Sequence, residues 1–174
     1  MDTNDLIKRI CDAALLRGDF TLRSGRKSKF YLDKYLFETQ PDILAELGRR
    51  FAEHVDAAVD RLAGAELGGI PLVAATSMAA NKPSVLIRNQ KKDYGTAKQL
   101  EGVLNAGDRI LIVEDIVTSG GQVIEGAKVL QDLGAKVVKI VAVIDREEGG
   151  RENIESAGFT FESLFTKTDL GITE

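Results

Sequence analysis

The chain has 174 residues, of which 44% are apolar and 29% charged, so it is able to bury a core and is not expected to be disordered. Lys and Arg number 23 against 27 Asp and Glu, and the net charge of −4 argues against a nucleic-acid-binding protein. The single cysteine excludes an internal disulfide, and the sequence contains neither a signal-peptide core nor an apolar run of about 18 residues. We therefore predict one domain over residues 1–174, in a cytoplasmic protein with no nucleic-acid partner and no membrane-spanning segment.

Apolar residues recur at helical or strand spacing along most of the chain. The pattern predicts, in chain order, a helix at 3–16, short strands at 20–22 and 29–33, a helix that begins at Pro41, a short strand at 65–67, a helix at 71–80, a strand at 84–88, a strand at 109–115, a helix after 121 and a strand at 136–145. The strands at 109–115 and 136–145 are apolar on both faces, which is typical of a parallel sheet covered by helices. The fold class that we predict is α/β: a three-layer parallel sheet flanked by helices, with a small N-terminal appendage.

Residues 89–102 interrupt this alternation. The segment has no apolar period, and it contains three lysines together with glycine and threonine. A long connection without regular structure of its own is often a functional lid. We therefore predict that 89–102 is a functional lid.

The segment 110–121 carries the clearest chemical signal. The apolar run ends in Glu114 and Asp115, and Thr-Ser-Gly-Gly follows at 118–121 before a predicted helix. Ligands of parallel sheets bind at the carboxyl ends of the strands, and a helix N-terminus attracts phosphate. Two acids beside a phosphate loop suit a ribose 5-phosphate with a divalent metal nearby, whereas the segment matches neither a Walker loop nor Gly-x-Gly-x-x-Gly. On this segment alone, an ordinary strand–helix turn with two capping acids stays an open alternative.

At these residues the sequence resembles the type I phosphoribosyltransferases, in which an apolar strand, two acids and a Thr/Ser-Gly loop bind 5-phosphoribosyl 1-diphosphate (PRPP). The resemblance covers nearly the whole chain and is closest to the members that act on orotate, with 33–39 similar to their archaeal branch. The segments that carry it, besides 110–121, are 18–25 with Phe30 and Tyr31, 88–102, 145–149 and 164–170.

The resemblance implies the type I phosphoribosyltransferase fold with an N-terminal substrate hood. It implies transfer of the 5-phosphoribosyl group from PRPP to orotate, which yields orotidine 5′-monophosphate and pyrophosphate in pyrimidine biosynthesis. It also implies Mg²⁺ as cofactor, bound through PRPP near Glu114 and Asp115. The active form implied is a homodimer whose lid is shared across subunits.

The site residues follow from the same resemblance, and they fall into three groups. Those expected to bind PRPP are Arg88, Lys91, Lys92, Tyr94, Glu114, Asp115, Ile116, Val117, Thr118, Ser119, Gly120 and Gly121. Those expected to bind orotate are Arg23, Phe30, Tyr31, Thr118 and Arg146. Those expected to be catalytic are Lys92, Glu114 and Asp115.

Two departures from the family pattern affect the anion-binding side. Asn89 stands where the lid usually has a second basic residue, and Lys91 supplies that charge in our interpretation. The loop 67–71 also lacks the lysine that some members carry there. Two other classes stay open: a phosphoribosyltransferase for another base, and a PRPP-binding regulator without catalysis. Arg146 argues against the former, because a guanidinium suits the carboxylate of orotate.

Overall fold

Helices and strands alternate over residues 1–21, 25, 27–89 and 99–172, which are the residues that the computed structural model describes. The helices are α1 (Thr3–Ala14), α2 (Lys34–Glu38), α3 (Pro41–Ala52), α4 (Gly69–Ala80), α5 (Gly121–Asp132) and α6 (Gly150–Ser156). The strands are β1 (Leu15–Thr21), β2 (Lys27–Leu32), β3 (Arg61–Ala65), β4 (Ser84–Ile87), β5 (Leu100–Glu101), β6 (Arg109–Val117), β7 (Lys136–Asp145) and β8 (Phe161–Thr166).

The described part of the chain forms a main sheet with the strand order β5-β4-β3-β6-β7-β8. All neighbouring strands run parallel except β5, which pairs antiparallel with β4 at one edge. From β3 the chain moves outward through β4 on one side, and from β6 it moves outward through β7 and β8 on the other. The order of the strands therefore reverses between β3 and β6. Open parallel sheets bind ligands in the crevice that forms at such a reversal point.

Helices cover both faces of the sheet, which confirms the three-layer α/β class. Alternate residues of β6 point to opposite faces, as the pleat of a strand requires. Leu111 and Val113 pack with α1, α3 and α4 in one core cluster, whereas Ile110 and Ile112 pack with α5 and α6 in the other. Both faces of the central strand are thus buried, which explains its continuous apolar sequence.

The N-terminal segment forms a small layer of its own beside the main sheet. Strands β1 and β2 pair antiparallel as a hairpin, with an irregularity between Arg17 and Phe20. Helix α1 begins at an N-cap, Asp2, whose side chain accepts a hydrogen bond from the Asp5 N–H, and it buries Leu6 in the core. The appendage predicted at this end is therefore present, and its strands are longer than the predicted ones.

Several predicted element bounds are wrong. The strand expected at 65–67 is instead β3, which ends at Ala65. Its small residues hide the apolar pattern, and they are small because α4 packs closely against the strand. A Cβ on Gly64 would lie 2.3 Å from the Gly69 carbonyl oxygen. The acids expected at a strand end lie inside β6, since Ile116 and Val117 continue the pairing with β7. Leu100 and Glu101 form β5 within the segment expected to lack structure, and α2, α6 and β8 were not predicted.

No helix in the described part of the chain is long and apolar enough to cross a membrane. The longest helices have 12 residues, whereas a membrane span needs about 20 apolar residues.

We expect Gly48→Ala to lower the free energy of unfolding by about 1–3 kcal/mol, because the core has no room for the added methyl group. Gly48 lies on α3, and a Cβ there would be 2.8 Å from the backbone of Ala75 on α4. Gly126→Ala on α5 is the matched control, since its Cβ would meet Ile87 at an ordinary 3.4 Å. The control should leave stability unchanged or raise it, because alanine favours the helix. Urea denaturation measures both, and equal effects would contradict this account of the contact between α3 and α4.

Candidate active site

Two carboxylates of β6, those of Glu114 and Asp115, lie at the reversal point of the sheet. The last residue pair between β3 and β6 is Ala63 with Ile112, so β6 continues beyond its partner and borders the turn that follows β3. Both side chains are buried, with 8% of Glu114 and 2% of Asp115 exposed. The Asp115 N–H donates to Glu114 Oε1 at 3.0 Å, and the Ile116 N–H donates to Asp115 Oδ1. The strand backbone thus holds both carboxylates.

The second oxygen of Asp115 is held by a cation and approached by a glycine. Lys34 Nζ lies 2.7 Å from Asp115 Oδ2. Burial alone would lower the pKa of Lys34, but the charge and hydrogen bond of Asp115 outweigh burial and raise it. A Cβ on Gly68 would lie 1.7 Å from the same Oδ2 atom, so this turn approaches Asp115 only because residue 68 has no side chain. Asp115 is therefore fixed from the strand, from α2 and from the turn before α4.

A third acid, Glu38, lies at the other end of α2 and is only 2% exposed. Neither of its carboxyl oxygens has a hydrogen-bond partner among the described residues. Burial, followed by the negative charge of Asp115, raises the pKa of Glu38 to about 8. Burial and Asp115 also raise the pKa of Glu114 well above its usual range. At neutral pH the site therefore favours protonated Glu38 and Glu114 beside the Lys34–Asp115 ion pair.

The loop at 118–121 leads from β6 into α5, and Gly120 in it has a φ of +78°, which favours glycine. Thr118 and Ser119 are exposed, and no described side chain caps the N-terminus of α5. Unpaired N–H groups at a helix start attract anions, because the helix dipole is positive there. The loop therefore presents hydroxyl and N–H donors next to the acid pair.

Helix α6 holds this loop from behind. The Asn153 side-chain amide donates to the Ser119 carbonyl oxygen at 2.9 Å. A Cβ on Gly150 would lie 2.5 Å from the Thr118 carbonyl oxygen, so the close approach requires glycine. The backbone of the loop is thus fixed before any ligand binds, which lowers the entropic cost of binding.

Arg146 follows β7, and its N–H donates to the Val117 carbonyl oxygen at 2.9 Å, beside the start of the loop. Its guanidinium forms an ion pair with Glu148, at 3.0 Å. Buried Asp145, the last residue of β7, fixes the turn that contains Arg146: its Oδ1 atom accepts a hydrogen bond from the Glu147 N–H at 2.9 Å. Glu147 in turn accepts two hydrogen bonds from Thr168. The strand ends thus bring Arg146 to the same edge as the acid pair.

The remaining predicted site residues are not equally placed. Arg88 follows β4, with Nε 3.8 Å from Glu66 and Nη1 3.6 Å from Glu101. Phe30 packs partly against the core, whereas Tyr31 is 44% exposed and contacts the Phe20 ring at 5.7 Å between centroids. Four further predicted residues lie outside the described part of the chain: Arg23, Lys91, Lys92 and Tyr94.

The phosphoribosyl transferase domain family matches residues 37–170 of this chain. An orotate phosphoribosyltransferase of Natronomonas pharaonis is 43% identical over 171 residues, which cover 98% of each chain. This chain belongs to the orotate phosphoribosyltransferase family. The crystal structure of the Mycobacterium tuberculosis orotate phosphoribosyltransferase with Fe(III) dicitrate has a TM-score of 0.86 at 30% identity, covering 96% of this chain and 97% of that one. The same enzyme with PRPP has a TM-score of 0.80 at 28% identity, with the same coverage.

Within this orotate phosphoribosyltransferase fold, sequence reasoning missed the residues that surround Asp115. Lys34 and Glu38 are one helical turn apart on α2, and that spacing was available in the sequence. Because α2 has only five residues, the apolar pattern gave no sign of it. Gly68 gave no sign either, since a glycine in a turn before a helix has many structural explanations.

Glu38→Gln should make the protein less sensitive to alkaline pH. Native Glu38 keeps its proton up to a pKa of about 8, whereas the unfolded carboxyl loses it near 4.5, so this group destabilises the fold as pH rises between these values. Glutamine removes this dependence. We expect the melting temperature of the variant, relative to the parent, to be higher at pH 8 than at pH 5.

Glu125→Gln, at an exposed position of α5, serves as the control for the loss of one carboxyl group. Its melting temperature should differ from that of the parent by the same amount at both pH values. A Glu38→Gln difference that does not change with pH would mean that the native carboxyl titrates normally.

Proposed function

We propose that this protein transfers the 5-phosphoribosyl group of PRPP to orotate and releases pyrophosphate, forming orotidine 5′-monophosphate. The observation that carries the proposal is the buried pair Glu114 and Asp115 on β6, directly followed by the donor-rich loop 118–121 at the reversal point of the sheet. Membership of the orotate phosphoribosyltransferase family supports the choice of reaction.

The acid pair suits the ribose of PRPP. Glu114 and Asp115 would accept hydrogen bonds from the two ribose hydroxyls, while the loop 118–121 would bind the 5′-phosphate at the start of α5. When the bond to pyrophosphate breaks, positive charge develops on the ribose ring. A fixed negative charge on Asp115 would stabilise that charge, because it is oriented before the reaction begins. The nitrogen of orotate attacks the ring, so no nucleophilic side chain is needed.

Mg²⁺ fits this site as a partner of the substrate rather than as a fully protein-bound ion. Carboxylate oxygens are suitable neighbours for Mg²⁺, and Glu114 and Asp115 would lie beside it. Among the described residues, no group of three or more His, Cys, Asp or Glu is arranged to hold a metal ion. The ion would therefore be bound mainly by PRPP oxygens, where it neutralises charge on the leaving pyrophosphate.

Orotate would be bound by the turn at the end of β7. Arg146 lies at the edge of the sheet that also carries the acid pair, and its planar guanidinium suits two parallel hydrogen bonds to a carboxylate. The guanidinium contacts the carboxylate of Glu148, a contact of the kind that a substrate carboxylate would use, and this contact supports the assignment. Arg23, Phe30, Tyr31 and Thr118 complete the orotate side in this proposal.

The pyrophosphate would be covered by the lid at 89–102. Lys91, Lys92 and Tyr94 belong to it by family resemblance, and Lys92 is its catalytic lysine in this proposal. Arg88 supports the location, because it stands at the end of β4 next to Glu66 of the turn before α4.

The active form in this proposal is a cytoplasmic homodimer that shares its lids. Two large apolar side chains next to or on α4, Leu67 and Met78, are 63% and 80% exposed in the single chain. A second copy of the chain would bury them, and the end of that contact at Leu67 would lie beside the turn that contacts Asp115. A lid could reach the neighbouring site from there. Light scattering of the purified protein tests the dimer.

The function is tested by turnover of PRPP with a panel of bases, each with and without Mg²⁺. We expect orotate to be consumed and orotidine 5′-monophosphate to appear, with adenine, guanine and uracil inactive and chelation of Mg²⁺ abolishing turnover. Turnover confined to another base would refute the orotate assignment. PRPP binding without any turnover would favour a regulator.

Arg146→Ala should weaken orotate binding much more than PRPP binding. Loss of a hydrogen-bonded charge pair costs about 1.5–3 kcal/mol, so we expect the KM for orotate to rise about 10- to 100-fold while the KM for PRPP changes less than about twofold. Arg109→Ala is the control, because this exposed arginine lies at the opposite end of the sheet. Equal increases in both KM values would mean that Arg146 only supports the turn.

A further inference from the structure

Helix α2 belongs to the N-terminal segment, yet it contacts the acid pair on β6. Lys34 begins the helix and Glu38 ends it, so the two side chains leave the same face. Lys34 Nζ lies 2.7 Å from Asp115 Oδ2, and Glu38 faces the same turn: a Cβ on Gly68 would lie 3.1 Å from Glu38 Oε1. The roles proposed above for the site residues do not explain why Lys34 and Glu38 lie here.

The contact between Lys34 and Asp115 is unequally buried. The Lys34 side chain is 32% exposed, whereas that of Asp115 is only 3% exposed. An ion pair of this kind contributes little to stability, because removing two charges from water costs about as much as their attraction returns. Removing the lysine alone would leave a buried carboxylate without its cation, and its Oδ2 atom would lose the contact that fixes it. The ammonium therefore matters chiefly for holding the Asp115 carboxylate in place.

The orientation of Asp115 depends on the same contact. Its Oδ1 atom accepts from the Ile116 N–H, and its Oδ2 atom contacts Lys34, so both oxygens are fixed before a ligand arrives. Each carboxylate oxygen is able to accept a second hydrogen bond, which leaves room for a ribose hydroxyl. Gly68 keeps a side chain out of the space beside Oδ2.

We propose that Lys34 is a positioning residue for PRPP, which holds the Asp115 carboxylate in the orientation that the ribose hydroxyls require. This proposal rests on the function proposed above, and it extends the PRPP site to α2. The charge state of the neighbouring acid supports it: the pKa of Glu38 is raised to about 8, so at neutral pH Glu38 does not compete for the ammonium.

Lys34→Met removes the charge and keeps the length of the side chain. We expect the Kd for PRPP, measured calorimetrically without orotate, to rise at least about tenfold, as for loss of a hydrogen bond to a charged group. The KM for orotate should change less than about twofold. Lys34→Arg should restore most of the affinity.

The control is Lys8→Met, which also breaks a lysine–carboxylate pair, but an exposed one with Asp12 on α1. It should leave the Kd for PRPP unchanged. The double variant Lys34→Met with Asp115→Asn should bind PRPP no more weakly than Asp115→Asn alone, because Lys34 acts through Asp115. Circular dichroism confirms that each variant folds, and Lys34→Gln replaces Lys34→Met if the latter does not.

The outcomes separate this inference from the proposed function. If the parent binds PRPP and the folded Lys34 variants bind it equally well, the positioning role is overturned while the function stands. Parallel losses of PRPP and orotate affinity that arginine does not restore, or additive losses in the double variant, would also overturn it. If the parent itself does not bind PRPP, the proposed function fails, and the inference fails with it.

Discussion

The burial of carboxylates inside a sheet is the constraint on which this site depends. Glu114 and Asp115 lie almost fully buried on the central strand, and a buried charge there is tolerated only with partners. The structure supplies two of them, the β6 backbone and the ammonium of Lys34, while the absence of a side chain at Gly68 leaves the carboxylate of Asp115 room beside the turn. Protonation relieves the rest of the charge, as the raised pKa of Glu38 indicates.

The site also depends on backbone segments that pack closely against each other at glycines. Helix α6 fixes the backbone of the loop 118–121 by packing Gly150 against Thr118 and by the Asn153 amide, a rigidity that the proposed phosphate-binding role would require. Gly64 lets α4 begin directly against β3 in the same way. At these positions glycine is required by distance rather than by flexibility, and several short contacts converge on one crevice.

The sequence was informative where one local pattern had one physical explanation. Continuous apolar strands predicted the parallel sheet, and the acid pair before 118–121 predicted the crevice beside β6. The sequence was uninformative where a role depends on contacts between distant segments. Lys34 lies 81 positions before Asp115 in the printed sequence, on a helix too short for periodicity, and nothing local indicates that they meet. The bounds of β3 were misplaced because three of its five residues are alanine or glycine, which pack closely against α4 and carry little of the apolar pattern that identifies a strand.

If Arg146 binds the substrate carboxylate as proposed, its ion pair with Glu148 would make that binding an exchange of partners. The incoming carboxylate would displace the one that the chain already holds, so the guanidinium would keep a counter-ion before and after binding. The net attraction would then be the difference between two similar contacts, which would limit affinity and allow the product to leave quickly. An arginine that is already paired with a glutamate attracts an anion only weakly at a distance, so electrostatic steering by Arg146, and its dependence on ionic strength, are expected to be weak.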